Sequence, residues 1–261
     1  MPLVGMDFSG KVAIVTGGGT GIGRASALLL ARLGADVAIA SRTANVLEAT
    51  ARDIARETGR RCIAIPTDVR DEEQVIALVR RTVETLGRID ILINNAGGTG
   101  MMPLADIATR QWERSFELNV TSAYFCTREA GRHFVAQGSG AIVNVSSMAG
   151  IHGVKGGAHY ASSKAALQMF TRVTAAEWGR HGIRCNCVAP GMIATELAQA
   201  AWDRAGLDLE KGTAAIPLRR AGTPEEVADA IVFLASDAAS YISGETLAVA
   251  GGPNLSGLSE G

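Results

Sequence analysis

The sequence predicts an α/β protein: a doubly wound parallel sheet of about seven strands with helices on both faces. Three observations predict it. Short apolar runs alternate with helix-length amphipathic stretches, no linker interrupts the alternation, and glycines gather just after several of the runs. Strand, helix and strand in unbroken succession imply right-handed crossovers and parallel pairing.

The elements follow in order. Residues 12–15 read as the first strand, followed by a glycine turn and a helix over 24–33. The second strand, 37–40, leads into a helix over 44–58, and the third, 62–65, into one over 72–86. A fourth strand at 89–93 precedes a long helical pattern over 111–136, and a fifth at 141–145 precedes another over 158–178. Strands at 184–188 and 246–249 flank a helix over 224–234. Residues 191–220 are the one long break and read as an irregular substrate loop. With no repeat or Pro/Ser-rich linker, 1–261 reads as a single domain.

Composition removes several classes of function. Lys and Arg number 25 against 26 Asp and Glu, a net charge of −1, which supplies no basic field for nucleic acid. A hydrophobic content of 47% argues against disorder, and no apolar run reaches the ~18 residues a membrane span needs. The start lacks a basic, apolar leader pattern and the end matches no retrieval or lipid-anchor address, so the expected location is cytoplasmic. Cys62, Cys126, Cys185 and Cys187 form no Cys-x-x-Cys pair and read as small buried hydrophobes. His133, His152, His159 and His181 show no zinc-like spacing, and no metal is expected. The 31 glycines, about 12% of the chain against a usual ~7%, mark places where backbone shape or close approach matters.

The first cluster is Thr16-Gly17-Gly18-Gly19-Thr20-Gly21-Ile22-Gly23, with Gly17, Gly21 and Gly23 spaced G-x-x-x-G-x-G. It joins the first strand to the first helix, where a pyrophosphate can approach bare amides at a helix N-terminus, as in a Rossmann-type site. A plain tight turn is the competing reading. About 20 residues on, where an NAD site places a carboxylate, the chain has Ser41 and Arg42. A guanidinium binds a ribose 2′-phosphate that a carboxylate would repel, so NADP(H) is expected over NAD(H). A solvated surface Arg is the alternative. Asp68 and Val69 close the third strand, with Asp68 suited either to an adenine amino group or to capping the helix near Glu72. Asn94-Asn95-Ala96-Gly97-Gly98 close the fourth with small residues that admit a nucleoside.

Ser146 and Ser147 end the fifth strand, and Tyr160 follows Ser147 by thirteen residues, with Lys164 one helical turn further. An ammonium near a phenol favours phenolate and is expected to lower the tyrosine pKa by ~1–3 units, making Tyr160 a general acid/base between carbonyl and alcohol. Ser147 would hydrogen-bond the same substrate oxygen.

Taken together, Thr16-Gly17-x-x-x-Gly21-Ile22-Gly23, Asn94-Asn95-Ala96-Gly97, Asn119, Ser147, Tyr160-x-x-x-Lys164 and Pro190-Gly191 resemble the short-chain dehydrogenase/reductase family from about residue 11 to 252. The resemblance implies that Tyr160 protonates the substrate carbonyl as hydride leaves the nicotinamide. Lys164 would lower its pKa and bind the nicotinamide ribose, and Asn119 would hold a water in a proton relay. A helix-bending Asn119 is the plainer alternative. Family spacing selects Ser147 over Ser146. Pro190, Gly191, Ile193 and Thr195 would meet the nicotinamide carboxamide and phosphates, and Ser41-Arg42 resembles the NADP(H)-preferring members.

The substrate walls are expected at 98–103, 149–157 and 191–220, where Met101, Met102, Ile151, Val154, Met192, Leu197 and Trp202 suit a ketone or secondary alcohol with an apolar body. Several of these would equally serve as core. His152 and Lys155 face either a polar substrate group or solvent. The family is usually tetrameric, and the Ala-rich helices around 122–136 and 165–178 suit a two-fold contact or burial on the sheet. Two other functions compete. One is an enoyl- or dienoyl-thioester reductase, which the intact Ser147 and Tyr160 disfavour. The other is a non-catalytic nucleotide-binding protein, expected to have lost Tyr160 or Lys164.

Overall fold

A computed structural model describes residues 6–253 other than 99 and 207. The chain ends on which the leader and address readings rest lie outside the described residues, as do Thr99 and Leu207 of the expected substrate walls.

Apolar residues alternate to both sides of every central strand, so the sheet must be covered twice. The strands are β1 (Val12–Thr16), β2 (Asp36–Ser41), β3 (Cys62–Pro66), β4 (Ile91–Asn94), β5 (Gly140–Val145), β6 (Ile183–Pro190) and β7 (Thr246–Val249). All pair in parallel in the order β3-β2-β1-β4-β5-β6-β7. Ala13 and Val15 of β1 pack under α1 (Gly21–Arg32), α2 (Ala44–Thr58) and α10 (Pro224–Ala235). Val12 and Ile14 pack against α3 (Glu72–Leu86), α5 (Ser122–Gln137) and α7 (Ala158–Trp178) on the other face. Strand order turns at β1 and β4, and their carboxyl ends open the crevice where such sheets bind ligands.

Boundaries hold best where a cap is written locally. Helices α2, α3 and α7 begin and end as the sequence predicts. Asp71 caps α3 by accepting from the Glu73 and Gln74 amides, so the capping alternative for Asp68 belongs to Asp71 instead. The fourth strand sits later than expected, at Ile91–Asn94.

Two regions differ more. The pattern over 111–136 is three pieces: α4 (Thr109–Phe116), a π-helical turn over Glu117–Thr121, and α5. Residues 191–220 are not irregular but carry α8 (Glu196–Ala205) and α9 (Leu209–Thr213), with Thr195 and Asp208 as side-chain caps. These helices are short and mostly exposed, so neither left a strong apolar period. A single further turn, α6 (Ala149–His152), follows β5.

Cys126, Cys185 and Cys187 are buried and Cys62 half-buried. Burial pushes the Cys126 thiol up to about 12 and Cys187 to about 11, as expected of packing residues. Among the described residues, no helix is long and apolar enough to cross a membrane, and no three His, Cys, Asp or Glu side chains cluster to hold a metal ion.

Candidate active site

The carboxyl ends of β1 and β4 are laced together by Thr16, which the glycine motif includes but to which the sequence gives no role of its own. Thr16 Oγ1 accepts from the Asn95 and Ala96 amides, both at 3.0 Å. Asn95 Nδ2 donates back to the Thr16 carbonyl at 2.9 Å and to that of Gly17 at 3.3 Å. The turn between them has no room for side chains. A Cβ on Gly23 would fall 2.2 Å from the Gly17 carbonyl oxygen, and one on Gly17, whose φ is +65°, would fall 2.7 Å from Asn95 Nδ2. Thr20, at the N-cap of α1, makes no side-chain cap hydrogen bond. A backbone-lined cradle at an uncapped helix N-terminus fits a dinucleotide pyrophosphate.

Around that cradle stand the other expected cofactor residues. Ser41 ends β2 half-buried and Arg42 is exposed beside it. Asp68 is engaged by a neighbour: Arg70 donates to it from Nε at 3.0 Å, Nη2 at 2.6 Å and its backbone amide at 3.1 Å. Arg70, chiefly, and Arg42 more weakly hold the Asp68 carboxyl below the usual range. Val69 and Ile193 are buried in the two cores. Thr195 Cγ2 lies 3.2 Å from where a Gly21 Cβ would sit, so the segment after Pro190-Gly191 closes over the glycine turn that includes Ile22.

The second half of the site is made by side chains. Tyr160 and Lys164 share one face of α7. The Lys164 ammonium is buried, donates to the Val145 carbonyl at 2.8 Å and lies 5.8 Å from the centre of the Tyr160 ring. Ser147 follows β5, its hydroxyl accepting from the Ala149 amide at 3.1 Å and placed to favour the Tyr160 phenolate. Asn119 is in the π-helical turn, buried, with Oδ1 accepting from the Gly98 amide and Nδ2 donating to the Gly98 and Ser115 carbonyls, all within 3.1 Å. A Cβ on Gly97 would fall 2.8 Å from Asn119 Oδ1 and 2.9 Å from Lys164 Nζ. Gly97, Asn119 and Lys164 thus meet at one point, and the helix irregularity and the site position of Asn119 are one feature.

One electrostatic expectation is overturned. Tyr160 is not lowered: burial pushes its phenol up, and Ser147 offsets part of that. The reason is where Lys164 points. Its ammonium is bonded to a strand carbonyl over the ring face, and burial pulls its own pKa down to about 8.

The walls converge only in part. The Met102 amide donates to the Gly156 carbonyl at 2.7 Å, joining the loop after β4 to the loop after α6. Met101, Ile151, Val154 and Leu197 are exposed there, while Met102, Met192 and Trp202 are half-buried. His152 and Lys155 are exposed. An apolar cavity of about 450 Å³ opens behind the Pro190-Gly191 turn, lined by Ile193, Pro217, Leu218, Val249 and Gly251, and reaches neither Ser147 nor Tyr160.

A doubly wound sheet with a bare phosphate cradle and a Ser, Tyr and Lys group at its carboxyl edge defines a nucleotide-dependent oxidoreductase. Comparison with known proteins narrows that class. Residues 17–254 match the family model described as enoyl-(acyl carrier protein) reductase. The chain is 42% identical to cis-4-hydroxycyclohexanecarboxylate dehydrogenase of Sinomonas cyclohexanicum, covering 95% of this chain and 98% of the relative. It is 40% identical to a short chain dehydrogenase/reductase of Aspergillus oryzae, over 95% and 97%. The crystal structure of L-sorbose reductase from Gluconobacter frateurii, complexed with NADPH and L-sorbose, superposes with a TM-score of 0.91 at 32% identity, over 95% and 98%. The chain belongs to the short-chain dehydrogenase/reductase family and is an oxidoreductase of that type.

Proposed function

We propose that this protein reduces a ketone, or oxidises the matching secondary alcohol, with NADP(H) as cofactor and a substrate of apolar body. The observation that carries the reading is Tyr160 one helical turn from buried Lys164, whose ammonium lies over its ring, with Ser147 at the end of β5 placed to favour the phenolate. The nicotinamide, when bound, supplies or takes up the hydride. Tyr160 gives its phenolic proton to the carbonyl oxygen in reduction and receives it in oxidation, while Ser147 holds the same oxygen in place. Lys164 binds the nicotinamide ribose, and Asn119, beside it under Gly97, holds the water through which the proton is restored. Gly17, Thr20, Gly21, Ile22 and Gly23 seat the pyrophosphate. Asp68, Val69, Asn95, Ala96 and Gly97 border the adenosine and ribose, and Pro190, Gly191, Ile193 and Thr195 the nicotinamide.

Ser41 and Arg42 support NADP(H) over NAD(H), because Arg70 donates two side-chain hydrogen bonds to Asp68, the carboxylate that feels Arg42. The activities named for the relatives, cis-4-hydroxycyclohexanecarboxylate dehydrogenase and L-sorbose reductase, fit carbonyl chemistry. A second reading, an enoyl-thioester reductase, draws on the description of the matching family model. Exposed Tyr124, Val135, Met169 and Val173 on α5 and α7 support a homotetramer, and four free thiols suit a cytoplasmic setting.

The test follows NADPH and NADH oxidation with panels of cyclic and steroidal ketones, 3-oxoacyl thioesters and enoyl thioesters. Ketone turnover with NADPH preferred is expected; turnover confined to enoyl thioesters would replace this reading with the second.

A further inference from the structure

Helix α7 meets the end of β5 at three consecutive residues. Lys164 Nζ donates to the Val145 carbonyl at 2.8 Å, and the Ser146 hydroxyl donates to the Lys164 carbonyl at 2.9 Å. The Gln168 side-chain amide donates to Ser146 Oγ at 3.0 Å and to the Ser147 carbonyl at 3.3 Å. Tyr160, Lys164 and Gln168 recur every four residues and so form one stripe along α7. The first two have a place in the proposed chemistry; the third has none so far.

Packing alone does not call for an amide at this position. An apolar side chain of the same length would fill the half-buried space between α7 and β5. What the amide adds is a fixed distance between the two elements that carry the reacting groups. Ser146 is buried and its hydroxyl donates to Lys164 and accepts from Gln168 within this link, while half-buried Ser147 follows it. The opposite side of the turn is equally tight. A Cβ on Gly150 would fall 2.8 Å from the Lys164 carbonyl carbon and 2.9 Å from Gln168 Nε2, so the Ser147 turn lies directly against α7.

We propose that Gln168 is a positioning residue which, through Ser146 and the Ser147 carbonyl, holds the Ser147 hydroxyl at its working distance from the Tyr160 phenol. The proposal rests on the reading that Ser147 and Tyr160 form the reacting pair. Rate is steep in such distances, and a coupled pair signals itself by non-additivity.

The experiment is a double-mutant cycle of Gln168→Met with Ser147→Ala, measured as kcat and KM on the ketone the wild type turns over, with the melting temperature recorded for each variant. Gln168→Met alone is expected to lower kcat about tenfold with the NADPH KM within about twofold of wild type. On the Ser147→Ala background the same substitution should change kcat by less than about twofold. In alcohol oxidation, the alkaline rise of kcat should move to higher pH in Gln168→Met, because a displaced Ser147 would offset less of the upward push that burial gives the phenol. Ser146→Ala, which removes the relay hydroxyl, should repeat the pattern and serves if Gln168→Met does not fold. Wild-type kcat in Gln168→Met, or losses that add fully across the cycle in an active enzyme, overturns the positioning role and leaves the proposed function standing. Absence of any ketone or alcohol turnover by the wild type overturns both.

Discussion

The two edges of the sheet treat buried charge in opposite ways. At the amino edge, Asp36 is bonded by Arg60 at 2.7 Å and Arg61 at 2.8 Å. Asp90 there accepts from Arg88 Nη2 at 2.7 Å, Arg88 Nε at 2.9 Å and the Val12 amide at 3.0 Å. Even Arg184 is spent on the carbonyls of Leu234, Ala235 and Ser236 at the end of α10. At the carboxyl edge, buried Lys164 is in no salt bridge among the described residues, desolvation of half-buried Tyr160 opposes its ionisation, and α1 starts without a side-chain cap. The lesson is electrostatic: one edge closes on itself, while the other holds groups whose partners a ligand would supply.

Four substitutions break or sharpen that contrast. Tyr160→Phe should lower kcat on the preferred ketone about a thousandfold with little change in melting temperature, since it deletes a proton and almost no packing; a loss below about tenfold would remove Tyr160 from the chemistry. Lys164→Met tests the uncompensated charge itself. Folded Lys164 releases its proton near about 8 and the unfolded chain near 10.5, so between those values the unfolded state binds more protons and the wild type gains stability as pH rises. Denaturant unfolding from about pH 7 to about pH 10 should therefore shift the stability difference by about 3 kcal/mol toward the wild type. A constant difference would mean that burial does not disturb this lysine.

Asp90→Ala addresses the closed edge. It should lower stability by about 2 kcal/mol while kcat stays within about twofold, and a catalytic defect matching the stability loss would show that the two edges are not separable. The smallest effect expected is that of Arg42→Ala, an exposed residue: the KM for NADPH rises about tenfold and that for NADH stays within about twofold. Equal changes for both cofactors would assign Arg42 to solvent.

Much of this site can be read along the chain because its parts are local. The spacing of Gly17, Gly21 and Gly23 places a side-chain-free turn after a strand, and the four-residue step from Tyr160 to Lys164 places both on one helix face. Asp71 caps α3 within its own turn, yet Asp68 is the one that strand-end position suggests, because the partner that occupies Asp68, Arg70, is visible only as a hydrogen bond. The π-helical turn holding Asn119 has no marker of its own. Helices α8 and α9 were hidden by their exposure, which removes the apolar period that reveals a helix.

Sequence alone therefore determined the order of the seven strands, the extents of α2, α3 and α7, the glycine turn and the one-turn spacing of Tyr160 and Lys164, since each follows from periodicity or fixed spacing within one element. Tertiary structure decided which of those groups is charged and which is held. It set the Lys164 ammonium on the Val145 carbonyl above the ring face, turned Ser146 into the core, and brought Gln168 and Asn119 against them. Such outcomes depend on desolvation and on contacts between residues far apart in the chain, and neither is written in the spacing of either partner.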